Sequence, residues 1–382
     1  MYSLHSYGQM VADTPRMHAY TSAIRRAVKP GSVVLDLGCG PGVFALLACQ
    51  LGARRVYAVE PDNVIELARE AARMNGFADR IEFFQMMSTS VTLPEPAGVI
   101  VSDLRGVLPW YRDHIPSVID ARTRLLAPNG TLIPRRDILW AAIVEAPDRY
   151  RELTGPWQAH GFDLSAAMRV VTNTWRKTRV EPHELLVEPS CWATLDYEEI
   201  EKPDVRAELS WQCARAGTAH GIAVWFDSVL IDEIGFWNAP GVPESIYGQG
   251  LFPFSQPVAI SEGDRVNVTL SAAFVNNDYV WRWETDFFDA RELDAPKTSF
   301  KQSTFFGVPL SRSQLRKRTN THAPVVNDDG SILQFVFSQM DGNNSVEQIA
   351  MRLAQEFPLR FRNDNEALDV VADISERYSN SR

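Results

Sequence analysis

The residue types with the clearest chemical spacing lie in VVLDLGCGPG, residues 33–42, where an apolar run ends in Asp36 and opens into a loop with Gly38, Gly40 and Gly42. Glycine serves where the backbone must turn tightly and let a ligand approach without a Cβ in the way. A dinucleotide fingerprint would need a further glycine at the position of Val43, so the spacing argues against a nicotinamide cofactor. Glu60, just past the next apolar run, stands where an acid grips ribose hydroxyls in a strand–loop–helix–strand order. A second set of groups lies on SDLRGVLPWYRD, residues 102–113. Asp103, at the carboxyl end of an expected fourth strand, is placed to orient or deprotonate a nucleophile. Two other arrangements of this loop are open: Asp103 and Arg112 pair to hold it, or Arg105 and Arg112 together receive an anionic substrate.

These groups need a scaffold that brings strand ends together. Short apolar runs at 33–37, 55–59, 81–84, 99–102 and 131–134 alternate with helical patterns, which predicts a parallel sheet with right-handed crossovers. In residues 61–77 the apolar positions Val64, Ile65, Leu67, Ala68, Ala71, Ala72 and Met74 share one helical face, and Gly76 is placed to end that helix. From about residue 140 to 300 the pattern becomes strand-like alternation with frequent Gly and Pro, and nine of the ten tryptophans fall there or at its edges. They are expected to fill a barrel or sandwich core.

The basic run of residues 311–319, with Arg312, Arg316, Lys317 and Arg318, reads as a solvated linker. Beyond it, Asp329-Gly330 between short apolar runs predicts a hairpin. Ser345 and Gln348 form a capping box before a helix, and a second helix carries Leu368, Val371, Ala372 and Ile374. The expected architecture is thus an α/β Rossmann-like domain (1–138), a β-barrel or sandwich domain (139–310) and a small α+β winged-helix-like module (320–382).

Composition limits the partners. The chain of 382 residues carries 38 basic and 48 acidic residues, net −10, with no whole-protein basic field for nucleic acid or anionic membrane. Residues 320–382 hold 5 Arg, no Lys and 10 acids, which argues against phosphate-backbone binding by the terminal module. No apolar run approaches the roughly 18 residues that span a bilayer. Cys39, Cys49, Cys191 and Cys213 form no C-x-x-C pair and the histidines no H-x-x-x-H pair, so free thiols, no metal and a cytoplasmic location are expected.

The segment LDLGCGPG resembles the first motif of class I S-adenosylmethionine-dependent methyltransferases. The resemblance narrows to protein arginine methyltransferases through Met10, Arg16 and Tyr20 in YGQMVADTPRMHAY, through GARRVYAVE, and through residues 125–134 and 161–165. It implies a homodimer acting on a peptide or protein side chain, with S-adenosylmethionine leaving as S-adenosylhomocysteine. Met10 would cover the cofactor, Arg16 would bind its carboxylate, the loop of Gly38 to Gly42 would wrap its methionine part and Glu60 would hold its ribose. That family places two glutamates on the acceptor loop. Here the first becomes Asp103 and the second Arg112, with Asp113 next to it, and the family's Thr-His-Trp becomes Ser245-Ile246-Tyr247. These departures leave two further readings beside arginine methylation: a non-arginine acceptor, or a catalytically silent cofactor-binding scaffold. Residues 320–382 are similar to PqqD-like modules, which implies leader-peptide capture along a hairpin edge; the other reading of this segment is a helical cap that packs on the barrel or on a second subunit.

Overall fold

A computed structural model describes residues 3–380 except Glu244 and Leu293, and only the backbone of His160. The chain forms two compact units, Met1–Pro309 and Leu310–Arg382.

In the first unit, β1 (Val33–Leu37), β2 (Arg55–Val59), β3 (Ile81–Phe84), β4 (Ala97–Ser102) and β5 (Leu126–Ile133) make a parallel sheet in the order β3-β2-β1-β4-β5. Two helices precede it. Ser3 caps α1 (Leu4–Ala12), and Asp13 caps α2 (Thr14–Ala27) by accepting from the Arg16 amide at 3.1 Å. The crossovers are α3 (Val43–Gln50), α4 (Ile65–Met74) and α5 (His114–Arg124). α4 buries Ile65, Ala68 and Ala72 and ends, as its spacing predicts, before Gly76 at φ 72°.

Register decides what meets at the sheet's carboxyl edge. Leu37 of β1 lies beside Val59 of β2 on one side and Ser102 of β4 on the other. The glycine loop, Glu60 and Asp103 therefore leave three adjacent strands at one level, where the strand order reverses and ligands bind in open α/β sheets.

The β region has two antiparallel sheets. One contains β6 (Arg136–Val144), β7 (Arg176–Thr178), β8 (Ser190–Asp196), β10 (Gly217–Ile231), β11 (Ile234–Trp237) and β12 (Gln249–Ile260); the other contains β9 (Val205–Gln212), β13 (Arg265–Val275), β14 (Asp278–Phe288) and β15 (Thr298–Ser303). Helices α6 (Pro147–Thr154) and α7 (Ser165–Val171) interrupt the first sheet. Trp192, Trp211, Trp225, Trp281 and Trp283 are buried as core, whereas Trp157 and Trp237 stay exposed. One apolar core continues from the parallel sheet into the β region, and the expected boundary between residues 138 and 139 falls inside β6.

Two details pin the acceptor loop. Trp110 is buried against Trp192, with ring centroids 4.9 Å apart, and donates from Nε1 to the Pro203 carbonyl at 3.0 Å. Arg105, from the same loop, is fully buried and pairs with fully buried Asp137 of β6 at 2.7 Å.

The second unit is helical: α8 (Arg312–Lys317), α9 (Asp328–Gln339), α10 (Val346–Glu356) and α11 (Asp364–Tyr378). Ile332, Val336, Ile349, Leu353, Phe361, Val371 and Ile374 form its core, and the Ser345/Gln348 capping box is present. The hairpin expected at Asp329-Gly330 is absent. Asn327 accepts from the Gly330 amide at 2.9 Å, and Asp328 and Asp329 sit in the first turn of α9, where acids favour the helix dipole. N-capping thus overrides the turn propensity of Asp-Gly. The winged-helix expectation is corrected to an all-helical module among the described residues, without the hairpin edge that PqqD-like capture needs. No helix among the described residues is long and apolar enough to cross a membrane.

The buried Arg105–Asp137 pair yields a stability prediction. Asp137→Ala leaves a guanidinium uncompensated in the core and is expected to cost about 3–5 kcal/mol in denaturant unfolding; a loss below about 1 kcal/mol would show that the pair is dispensable.

Candidate active site

The carboxyl edge of the parallel sheet opens into a cavity of about 340 Å³, at the small end of the usual range for small-molecule sites, roughly 300–1,000 Å³. Of the residues singled out from sequence, Met10, Arg16, Gly38, Gly40, Glu60, Asp103 and Arg112 all line it. Asp36 and Gly42 lie behind the wall.

Asp36 is buried and accepts from the Ala45 amide at 2.9 Å, which ties the end of β1 to the start of α3. Burial lifts its carboxyl pKa to about 7 against that hydrogen bond, and nearby Glu60 adds to the rise. Gly40 and Gly42 have φ of 50° and 83°, and a Cβ on them would press on the Tyr7 ring and on Ala68. The loop can hold this shape only with glycine there. Glu60 accepts from the amides of Gly40 at 3.1 Å and Asp62 at 3.0 Å, so it braces the loop while facing the cavity. Burial raises its pKa, and the two amides oppose the rise.

Asp103 is the most heavily partnered group. Its Oδ2 accepts from Arg16 Nε and lies 2.6 Å from Arg16 Nη2. The Tyr247 hydroxyl lies 2.6 and 2.7 Å from its two oxygens, and Arg105 Nε is 3.3 Å from Oδ1. Burial alone would raise the Asp103 pKa, but Arg16, Arg105 and the Tyr247 hydrogen bond hold it below the usual carboxylate range. Arg16 also donates to the Met10 carbonyl at 3.0 Å. The arm, the loop after β4 and the β region thus converge on one carboxylate.

Neither alternative pairing read from the loop is found. Asp103 does not pair with Arg112, and Arg105 is spent on Asp137, Ser228 and Tyr20 rather than facing a substrate. Arg112 is exposed, lies over the Tyr111 ring at 5.3 Å and makes no hydrogen bond or ion pair among the described residues. Its backbone is left-handed, φ 44°, a strained state for a residue with a Cβ. Asp113, next in the chain, is half-buried and lines the same cavity.

Asp137, Tyr197, His114 and Tyr247 complete the site without having been candidates in the sequence. Asp137 and Tyr197 come from remote segments with no local motif, whereas His114 directly follows the 102–113 loop and Tyr247 ends the Ser245-Ile246-Tyr247 counterpart of the family's Thr-His-Trp. Asp13 was readable only as part of the arm segment; here its carboxylate both caps α2 and accepts from the Ile246 amide at 2.8 Å.

Comparison with known proteins agrees with this architecture. Residues 135–286 match the family model for the arginine methyltransferase oligomerization subdomain, and residues 18–133 match that for ribosomal protein L11 methyltransferase (PrmA). The chain is 30% identical over 305 residues to protein arginine N-methyltransferase PRMT10 of Oryza sativa subsp. japonica, covering 70% of this chain and 80% of that one. It is 31% identical over 239 residues to probable protein arginine N-methyltransferase 6 of Arabidopsis thaliana, where it spans 58% of this chain and 55% of the relative. Among solved structures, the Trypanosoma brucei PRMT1 enzyme–prozyme heterotetrameric complex with AdoHcy superposes with a TM-score of 0.71 at 21% identity, covering 79% of this chain and 98% of that one. Arabidopsis thaliana protein arginine methyltransferase 10 gives 0.69 at 24% identity, covering 79% and 97%.

The raised Asp36 pKa has a testable sign. Below about pH 4 the group is protonated in both folded and unfolded chains; from there to about pH 7 only the unfolded chain ionises, so Asp36 lowers stability as pH rises through this window. Asp36→Asn keeps an oxygen for the Ala45 amide and has no such proton to lose. Its stability relative to wild type should therefore climb across that window in denaturant titrations; parallel profiles would contradict the assignment.

Proposed function

Because the chain belongs to the protein arginine N-methyltransferases, we propose that it methylates a guanidino nitrogen of an arginine side chain in a protein or peptide. The enzyme is an S-adenosylmethionine-dependent methyltransferase. The observation that supports the acceptor reading is the meeting, in one cavity, of the glycine loop and Glu60 with the two acids Asp103 and Asp113.

The residues present fit the cofactor. Glu60 supplies a carboxylate for ribose hydroxyls, the glycine loop clears space beside the strand end, and Met10 and Arg16 bring an apolar cover and a cation from the arm. When bound, S-adenosylmethionine supplies a methyl group already activated by its sulfonium, so the chain's task is alignment and exclusion of water. In this proposal Arg16 would hold the cofactor's carboxylate, and Asp103, beside it at 2.6 Å, would accept from an N–H of the acceptor guanidinium. Asp113 takes the place of the second acid, and the left-handed backbone at Arg112 supports that shift by one residue. Asp36 and Gly42 shape the loop from behind.

The oligomerization subdomain supports self-association, and a homodimer is the form proposed. The exposed Phe162 and Leu164, in the segment that resembles the family's dimerisation arm, and exposed Trp157 shortly before it support it. The four cysteines are free, which favours the cytoplasm as location.

A second reading, a silent cofactor-binding scaffold, is favoured by the Arg112 cation, unpaired among the described residues, and by the hold of Arg16 and Tyr247 on Asp103. Labelled-methyl transfer to an arginine-rich peptide separates the two, with cofactor calorimetry run alongside. Asp103→Asn should lower turnover about a hundredfold with little change in cofactor affinity. Glu60→Ala should weaken cofactor binding about tenfold or more. Binding of S-adenosylmethionine without labelling of any arginine peptide would leave the scaffold reading; full labelling by Asp103→Asn would remove Asp103 from the acceptor site.

A further inference from the structure

His114 opens α5, is 2% exposed and lines the same cavity. Its Nε2 lies 3.0 Å from the Tyr197 hydroxyl, and that hydroxyl donates to Asp137 Oδ2 at 2.6 Å. A phenol has one proton, and here it is spent on the carboxylate that also holds Arg105. The Tyr197 oxygen can therefore only accept from the imidazole, so Nε2 carries the ring proton and Nδ1 is left with a bare lone pair. That Nδ1 is buried and without a partner. Of the buried side-chain polar atoms lacking a partner among the described residues, it is the one belonging to a residue of the cavity wall. Burial, reinforced by the Arg105 charge, lowers the imidazole pKa to about 3, so the ring stays neutral at ordinary pH.

A buried acceptor without a donor is costly unless a ligand completes it. We propose that His114 is a substrate-contacting residue of the acceptor site, whose Nδ1 accepts a hydrogen bond from an N–H of the group to be methylated, while Asp137 and Tyr197 fix its tautomer. The inference rests on the methyl-acceptor reading above and deepens it. An acceptor bearing several N–H groups, as a guanidinium does, is met by Asp113 and His114 on consecutive residues. Because the imidazole is neutral, it adds an acceptor beside Arg112 without burying a charge beyond those of Asp103 and Asp113. Specificity then favours N–H-bearing acceptors over carboxylates, which would set a lone pair against a lone pair.

The test uses the full chain. His114→Gln places an amide nitrogen where it can still donate to Tyr197 but removes the Nδ1 lone pair. Thermal stability and affinity for S-adenosylhomocysteine should stay near wild type, while KM for an arginine-rich peptide rises about tenfold or more. His114→Asn, which keeps an acceptor near the Nδ1 position, should recover part of that loss. Nitrogen-15 spectra of histidine-labelled wild type should show an unprotonated Nδ1, shifting when the peptide is added to the S-adenosylhomocysteine complex. A KM for His114→Gln within twofold of wild type, or an Nδ1 resonance unmoved by a peptide that calorimetry shows to bind, overturns the proposal. If wild type labels no arginine peptide, the function reading fails, and the spectra still judge the tautomer: a protonated Nδ1 overturns it, and an unprotonated one sustains it. Tyr197→Phe serves as control for the positioning role, and a mixture of tautomers is expected in its spectra.

Discussion

Everything at the cofactor edge depends on two charges, Asp103 and Arg105, that the loop after β4 carries into the interior. Ions of this kind are stable out of water only with partners at close range. Here each finds its partners in other segments: Asp103 with Arg16 of α2 and Tyr247 of the β region, Arg105 with Asp137 of β6. The arm, the parallel sheet and the β region must therefore assemble together for either charge to be satisfied. This ties the catalytic edge to the whole first unit rather than to the nucleotide-type sheet alone.

The same network explains how a site with one recognisable acid can still favour a cationic acceptor. Asp103 has its pKa held below the usual carboxylate range and is bound by Arg16 and Tyr247. Beyond it lie Asp113, half-buried and on the cavity wall, and a neutral imidazole whose tautomer follows from the single proton of Tyr197. The cation Arg112 stands at the exposed rim, over Tyr111, on a left-handed backbone. In the proposed acceptor site it is Asp113, the next residue and part of the cavity lining, that stands in for the second acid.

Parts of this were legible in the residues themselves. The strands around Asp36 and Glu60, the helix ending at Gly76 and the Ser345/Gln348 capping box follow from periodicity and local capping, and such local rules survive when a chain folds. The hairpin at Asp329-Gly330 failed because a competing local rule, Asn327 as N-cap with two acids behind it, offered more hydrogen bonds than a two-residue turn. The partners of Asp103 were illegible because they depend on loop paths and on which sheet strand comes to rest beside which.

By itself, then, the sequence determined the succession of strands along the chain, the glycine loop with its two acids, the aromatic β region and the family to which they point, because each rests on spacing within a short segment. Tertiary structure alone decided that Arg105 is structural, that Asp103 is held by Arg16 and Tyr247, and that among the described residues Arg112 pairs with no acid and His114 Nδ1 has no partner. Those outcomes come from charges and protons shared among residues far apart in the chain, and a buried proton can satisfy only one neighbour at a time.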